Sequence, residues 1–511
     1  MLRQFRSTLG VMLAVVLVAA LVPAAALAID PLAVYYPPDA YEPDNTPATA
    51  TVYDADMEVT QHNLHDVDDV DWVMFSAEET GQPFLLEAEP TAGRDVDLHM
   101  YVYDAADTVN EIVENDDALW NTYGSQVFFE APSRGDYYLK VITHDSDANG
   151  AIGGYTLTVS DGIARRIYGA DRFDTAVKVS KTIWPMTDLW GAYQDPMNGN
   201  DPYDPECIVI SNGLNWPDAL AGSAFAAAAD GVLLLARPDG LPATTAAEMK
   251  RLMTMAYGLD PESSSYYGMR VYILGGTAAV GQKVEDEIAA MDGVGEVVRL
   301  SGGTRYETAV EVGSEFVNFI GLGTPATAFV VGGANPWDAL AASPVAAYAG
   351  APVLLSGKSD VPTATIDFLT DNAIERVVVV GGTSTLDATA FAELDAAVTD
   401  VERVAGATRY ETALDIAQWG VDEAGMDAGT VVLASGTSFA DGLASAPISW
   451  YSGGPMLLTR PDYLVDEVYD FFEANGMPSS GSYVVGGSAA IHDDVFWEFK
   501  VGVWSYLVSL P

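Results

Sequence analysis

Gly302-Gly-Thr-Arg305-Tyr-Glu-Thr-Ala309 is the stretch on which the fold turns, because the chain carries it three times. Gly169-Ala-Asp-Arg172-Phe-Asp-Thr-Ala176 precedes it and Gly406-Ala-Thr-Arg409-Tyr-Glu-Thr-Ala413 follows it. A second series recurs downstream of each: Asn215-Trp-Pro-Asp218-Ala-Leu220, Asn335-Pro-Trp-Asp338-Ala-Leu340 and Ser438-Phe-Ala-Asp441-Gly-Leu443. A third ends in paired glycines, Gly275-Gly276, Gly381-Gly382 and Gly486-Gly487, each after a short apolar run. Arg305 and Arg409 are 104 residues apart, Arg172 and Arg305 133. The surplus lies in Trp184 to Glu206 and Gly258 to Gly268, rich in Pro, Gly, Asn and Tyr. A period near 100 residues is too long for a solenoid, so each copy is expected to be a globular module with its own core.

Within the third copy, Thr430 to Ala434, Pro455 to Thr459 and Ser482 to Val485 are short apolar runs that predict buried strands. Phe439 to Tyr451, Leu464 to Asn475 and Ile491 to Lys500 between and after them predict helices. Strands that are apolar throughout, alternating with helices, indicate a parallel sheet covered on both faces. The region before Gly162 has a different period. Asp71 to Ser76, Asp97 to Tyr103, Gln126 to Phe129, Asp136 to Ile142 and Tyr155 to Val159 alternate apolar and polar residues, with turn residues between them. That pattern predicts an all-β sandwich or jelly roll, followed by a short linker from Ser160 to Arg165.

The 511 residues include 73 acidic and 23 basic side chains, a formal charge of −50. Such a chain repels phosphate backbones and anionic headgroups, which argues against nucleic acid and against membrane-surface electrostatics. The acid is concentrated: Asp30 to Gly162 holds 28 Asp and Glu against Arg94, Arg134 and Lys140. The single cysteine, Cys207, excludes an intramolecular disulfide. Arg3 and Arg6, the apolar run Val11 to Val22 and Ala26-Leu27-Ala28 have the layout of a secretory signal peptide over residues 1–28, cleaved after Ala28. No membrane span is expected after cleavage. Phe496 to Pro511 has neither a sorting motif nor an apolar span, so a surface location implies a non-covalent hold.

The three motif series resemble the cell-wall-binding repeat of the second type, found in tandem threes in surface-layer and wall-associated proteins of Gram-positive bacteria and their relatives. On that resemblance the repeats span 165–298, 299–402 and 403–500. It implies Rossmann-like modules packed in a pseudo-threefold arrangement and held to an anionic secondary cell-wall polymer, with other surface-layer proteins as further partners. Residues 40–160 are similar to the pre-peptidase C-terminal domain of secreted proteases through Glu42-Pro-Asp-Asn45, Asp69-Val-Asp71-Trp-Val-Met-Phe75, Asn115-Asp-Asp117 and Ala131-Pro-Ser-Arg-Gly135-Asp-Tyr-Tyr138. Met74 stands where that pattern has a tyrosine, and no peptidase accompanies the domain.

Arg172, Arg305 and Arg409 each stand between a glycine turn and a helix. A guanidinium there forms a planar fork for a phosphate, carboxylate or pyruvyl group, or a tie to a neighbouring acid such as Glu307 or Glu411, or between modules. Asp218, Asp338 and Asp441 fall in a first helical turn, where a carboxylate caps free N–H groups; the alternative is a ligand contact. Trp216, Trp337 and Phe439 beside them suit either a sugar face or packing between modules. The pairs Gly275-Gly276, Gly381-Gly382 and Gly486-Gly487 offer tight turns or an anion cradle of backbone N–H groups. No nucleotide loop follows them. Glu42, Asp44, Asn45, Asp69 and Asp71, with Asn115, Asp116 and Asp117, make an oxygen-rich set suited to Ca2+. His62, His65, His99 and His144 are expected at the surface. With no HExxH, GxSxG or SxxK set, the expectation is a secreted, non-catalytic surface protein. The alternatives are a wall-glycan hydrolase or its modifier, and calcium-dependent protein or glycan binding by the sandwich.

Overall fold

The computed structural model describes residues 38–503 apart from 54–55, 66–68, 78–79, 81, 91–96, 116–123, 144–152, 162–163, 185–204, 258–267, 321–324 and 477–481. The signal-peptide expectation for residues 1–28 lies outside the described residues. Strands β1 (Thr51–Val52), β2 (Asp56–Leu64), β3 (Asp71–Ala77), β4 (Pro83–Pro90), β5 (Leu98–Asp104), β6 (Asp107–Asn115), β7 (Ser125–Glu130), β8 (Gly135–Thr143) and β9 (Gly153–Asp161) make two sheets. Their orders are β1-β3-β8-β5-β6 and β2-β9-β4-β7, antiparallel except for β1 against β3. In β8, Tyr137, Leu139 and Val141 are buried while Asp136, Tyr138 and Lys140 face outward, the two-residue period of a sheet with one core face. Phe75 and Tyr137 of one sheet and Phe84, Phe129 and Leu157 of the other share a single buried cluster.

The remaining strands form three four-stranded sheets, parallel throughout. Strand β10 (Ala164–Ile167) comes first in the chain. The first sheet joins β11 (Cys207–Asn212), β12 (Val232–Ala236), β13 (Met269–Leu274) and β14 (Val294–Leu300) in the order β12-β11-β13-β14. The second joins β15 (Thr327–Gly332), β16 (Val353–Ser356), β17 (Arg376–Val380) and β18 (Asp400–Val404) as β16-β15-β17-β18. In the third, β19 (Val432–Ser435), β20 (Met456–Thr459) and β21 (Ser482–Val485) are completed by β10, which pairs with β21 from Ala164 opposite Ser482 to Ile167 opposite Val485. The first strand of the region therefore finishes the last sheet.

Each sheet's edge strand leads through the glycine motif into a helix, Arg172–Ile183, Arg305–Ile320 or Arg409–Trp419, that packs on the next sheet. The helices after β11 and β15, Ala219–Ala228 and Trp337–Tyr348, are alanine-rich and buried on nearly all sides. Small side chains let these helices approach closely: Ser223 Oγ donates to Leu443 O at 2.6 Å, and Ser343 Oγ to Leu220 O at 3.2 Å, both across modules. Leu220, Leu340 and Leu443 join one cluster spanning all three modules. The third module departs from expectation here. Its predicted helix Phe439 to Tyr451 is two, Phe439–Ala444 and Ala446–Ser452, because Gly442 and Pro447 both weaken it. Trp337–Tyr348, with Pro344 alone, stays continuous. Among the described residues no helix is long and apolar enough to cross a membrane.

Candidate functional site

The repeated octapeptide is a self-capping turn. In each copy the threonine oxygen accepts the first glycine's N–H: Thr175 from Gly169 at 3.2 Å, Thr308 from Gly302 at 3.1 Å, Thr412 from Gly406 at 3.2 Å. The acid accepts a second loop N–H: Asp174 from Ala170, Glu307 from Thr304, Glu411 from Ala407. Glycine is required because a Cβ at Gly302 or Gly406 would lie 2.1 Å from the Glu307 or Glu411 Cβ. Glu307 and Glu411 are thus engaged in capping their own turns, and the expected salt bridge from Arg305 or Arg409 to them is not made.

The arginines reach elsewhere. Arg172, Arg305 and Arg409 Nη1 donate to the carbonyls of Gly213, Gly333 and Gly436 at 2.8, 2.7 and 2.5 Å, just past the end of the central strand of the sheet their helix covers. Each guanidinium also lies over a ring of another module: Arg305 over Trp216 at 5.3 Å, Arg409 over Trp337 at 4.5 Å, Arg172 over Phe439 at 5.6 Å. The carboxylates follow the same cyclic order, for Arg305 acts on Asp218, Arg409 on Asp338 and Arg172 on Asp441. Three junctions therefore carry one constellation of guanidinium, ring and carboxylate. The arginines are half-buried, and each bond to a glycine carbonyl uses one of a guanidinium's five N–H donors.

The aspartates sit at the expected helix starts, yet none of the three helices is capped through its side chain. They face the glycine pairs instead: a Cβ at Gly275, Gly381 or Gly486 would lie 2.3, 2.4 or 3.3 Å from the Asp218, Asp338 or Asp441 Oδ2. Thr308 and Thr175 hydroxyls bond Asp218 and Asp441, whereas Asp338 accepts from Thr385 Oγ1 at 3.0 Å and Thr412 turns to Thr408 O. The anion cradle expected of the pairs fails at its first glycine, because the N–H groups of Gly275, Gly381 and Gly486 bond the edge-strand carbonyls of Leu300, Val404 and Ile167. Gly276, Gly382 and Gly487 accept through their carbonyls from the turn that follows. A second arginine series, which the three motif series do not include, holds this turn: Arg299, Arg403 and Arg166 donate to the carbonyls of Gly275, Gly381 and Gly486. Each stands six residues before its partner in the first series, so extending the alignment upstream finds it.

Burial raises the Asp218, Asp338 and Asp441 carboxyls above their ordinary value of 3.8, against the lowering effect of a threonine hydroxyl and the facing arginine. The folded state then binds protons more tightly than the unfolded one. Its stability should fall as pH rises from near 3.8 through the raised folded value, and recover on acidification. In urea unfolding at pH 4.5, 6 and 7.5, Asp338→Asn should flatten this decline; parallel curves for variant and parent would refute the assignment.

In the β-sandwich, Glu42, Asp44, Asp69 and Asp71 do gather, joined by Asp39, His62 and His65. Asn45 braces the turn instead, its Nδ2 donating to Glu42 Oε2 and its Oδ1 accepting from Val70 N–H. Asn115 bonds the Gln126 carbonyl, and Asp116 and Asp117 lie outside the described residues. Burial pushes the Asp44 carboxyl up to about 7 and Asp71 to about 9, each further raised by neighbouring acids, and pushes His62 down to about 4. The expectation of surface histidines is corrected at His62, which is 3% exposed; its alternation in β2 turns it inward. His99 keeps a partly exposed place beside Glu114, and His144 lies outside the described residues.

The cell wall binding domain 2 (CWB2) model matches residues 166–285, 299–390 and 403–496. The N-acetylmuramoyl-L-alanine amidase LytC of Bacillus subtilis (strain 168) is 26% identical over 342 residues, 67% of this chain and 59% of the relative. The amidase enhancer of the same organism is 24% identical over 311 residues, 60% of this chain and 37% of the relative. The chain thus spans under two thirds of the length of either curated relative. Among solved structures, Cwp8 from Clostridium difficile superposes with a TM-score of 0.54 at 23% identity, covering 69% of this chain and 53% of that one, a likeness of fold. Three tandem matches over more than half the chain, on the residues that build the three junctions, place it in the cell wall binding domain 2 family.

Proposed function

We propose that the chain is a secreted, non-catalytic surface protein whose three modules grip an anionic secondary cell-wall polymer, while the acidic sandwich is displayed outward toward other surface-layer proteins. The observation that carries this reading is the half-buried guanidinium beside an aromatic ring at each of three equivalent junctions, past the carboxyl ends of the strands where α/β sheets take ligands. Local donors of this kind can hold an anion that a chain of charge −50 would otherwise repel. The cyclic order of the junctions supports a pseudo-threefold arrangement of Rossmann-like modules. The order β2-β9-β4-β7 facing β3-β8-β5-β6 supports reading the sandwich as a jelly roll.

The test is sedimentation of the purified chain with cell walls, either intact or stripped of secondary polymer. Binding should be confined to intact walls, and the Arg172, Arg305, Arg409→Lys triple variant should lose about tenfold in affinity, since an ammonium keeps the charge but not the fork. Equal binding to both wall preparations, or a folded triple variant of full affinity, would sink the proposal. Likeness to an amidase and to an amidase enhancer favours one second reading, that the chain modifies a wall hydrolase. A peptidoglycan zymogram with and without added chain distinguishes the two.

A further inference from the structure

We propose that the β-sandwich binds a divalent transition-metal cation of the zinc class through Asp39, His62 Nδ1 and Asp71. Sequence places these residues far apart. Asp39 precedes β1, His62 lies near the end of β2 and Asp71 opens β3, and the fold brings their ligand atoms within 4.8 Å of one another.

The imidazole carries the argument. The His62 side chain is fully buried, and its Nε2 edge is held by the Tyr53 hydroxyl at 2.6 Å and Thr60 Oγ1 at 2.9 Å. Tyr41 and Tyr155 stack on it with ring centroids 4.4 and 5.4 Å away. Outer partners that fix a ring in this way are what a metal-ligating histidine has. Its Nδ1 has no hydrogen-bond partner, and it points at Asp39 Oδ2 and Asp71 Oδ2 from 3.8 and 4.0 Å. Those gaps are too long for hydrogen bonds. They suit atoms on either side of a small cation, since ligands about 2.1 Å from a tetrahedral zinc stand roughly 3.4 Å apart.

An independent sign is Asp44. It is 1% exposed, neither carboxylate oxygen has a hydrogen-bond partner, and it groups with Glu42 and Asp71 on the same side. A buried carboxylate left in this condition is costly unless a cation answers it. Tyr155 donates its hydroxyl to Asp71, which orients that ligand as well. The nitrogen donor decides the class of ion. Calcium takes oxygen ligands, whereas imidazole with carboxylates suits zinc and its neighbours, so the calcium suggested by the acidic residues alone gives way. The adjoining His65 belongs to a second, more exposed group: its Nδ1 stands 2.9 Å from Glu42 and 2.5 Å from Asp69, and the side chain is 23% exposed.

The experiment uses the full chain, stripped with a chelator and titrated separately with Zn2+, Co2+ and Ca2+. Zn2+ should bind more tightly than Ca2+, and Co2+ should develop the visible d–d absorption of a site with a nitrogen ligand. His62→Gln should weaken Zn2+ binding tenfold or more, while His492→Gln, at the start of the helix Asp493–Trp497 in the third module, stays within about threefold of the parent. Failure of Zn2+ to bind, tighter binding of Ca2+, or an affinity unchanged in a folded His62→Gln protein would overturn the assignment. If His62→Gln loses the sandwich's unfolding transition, Asp39→Asn, at a more exposed ligand, replaces it. The same tenfold loss is then expected, and an unchanged affinity overturns the site.

Discussion

Gly381→Ala should destabilise the second module by about 3 kcal/mol, although it adds a single methyl group. Two causes add. Gly381 has φ +114, a conformation that costs a residue with a Cβ on the order of 1–2 kcal/mol. The new Cβ would also lie 2.4 Å from Asp338 Oδ2, and the buried carboxylate cannot move aside without releasing the Thr385 hydroxyl, a further ~1–2 kcal/mol. The neighbouring Gly382 is the control, because a Cβ there would have its nearest neighbours 4.0 Å away, so Gly382→Ala should change stability by under about 0.5 kcal/mol. Denaturant melts of both variants test this. If the two substitutions cost the same, strain at the carboxylate is not the reason for the first glycine.

Arg166→Ala should cost the third module about 3–4 kcal/mol and loosen β10 from β21. The Arg166 side chain is 8% exposed, donates to the carbonyls of Gly486 and Ile491, and meets Asp493 at 2.7 Å. Truncation strands two carbonyls and removes an ion pair, and each orphaned buried acceptor costs roughly 1–3 kcal/mol. Hydrogen exchange read at Tyr483 to Val485 reports the effect directly. Exchange there should accelerate in Arg166→Ala while β15 and β17 keep their protection; unchanged protection in β21 would refute the role.

The sequence discloses the module architecture because the strand runs are apolar at every position, as in Cys207 to Asn212 and Val432 to Ser435, and recur in register with the glycine motifs. It also shows where the arginines and aspartates stand on their helices. It does not show which arginine meets which aspartate, since Arg305 acts on an aspartate 87 positions earlier that belongs to another copy, and periodicity within one copy is blind to that. The acids of the sandwich are legible as a cluster. The part played by His62 is not, because one histidine in an alternating strand carries no sign of the Asp39 and Asp71 that approach it from other segments.

The seam between β10 and β21 has a consequence for how the protein is made. Arg166 and Asp493, which meet across it, are 327 residues apart in sequence. A ribosome adding about 5–20 residues per second leaves β10 waiting for roughly 15–65 s before its partner exists. The first two modules can assemble in that interval, but the third sheet cannot take up β10 until β21 has been made, and a contact of such long range forms late. A nascent chain halted before β21 therefore carries an unpaired strand end next to its most acidic domain, where charge opposes association with other chains.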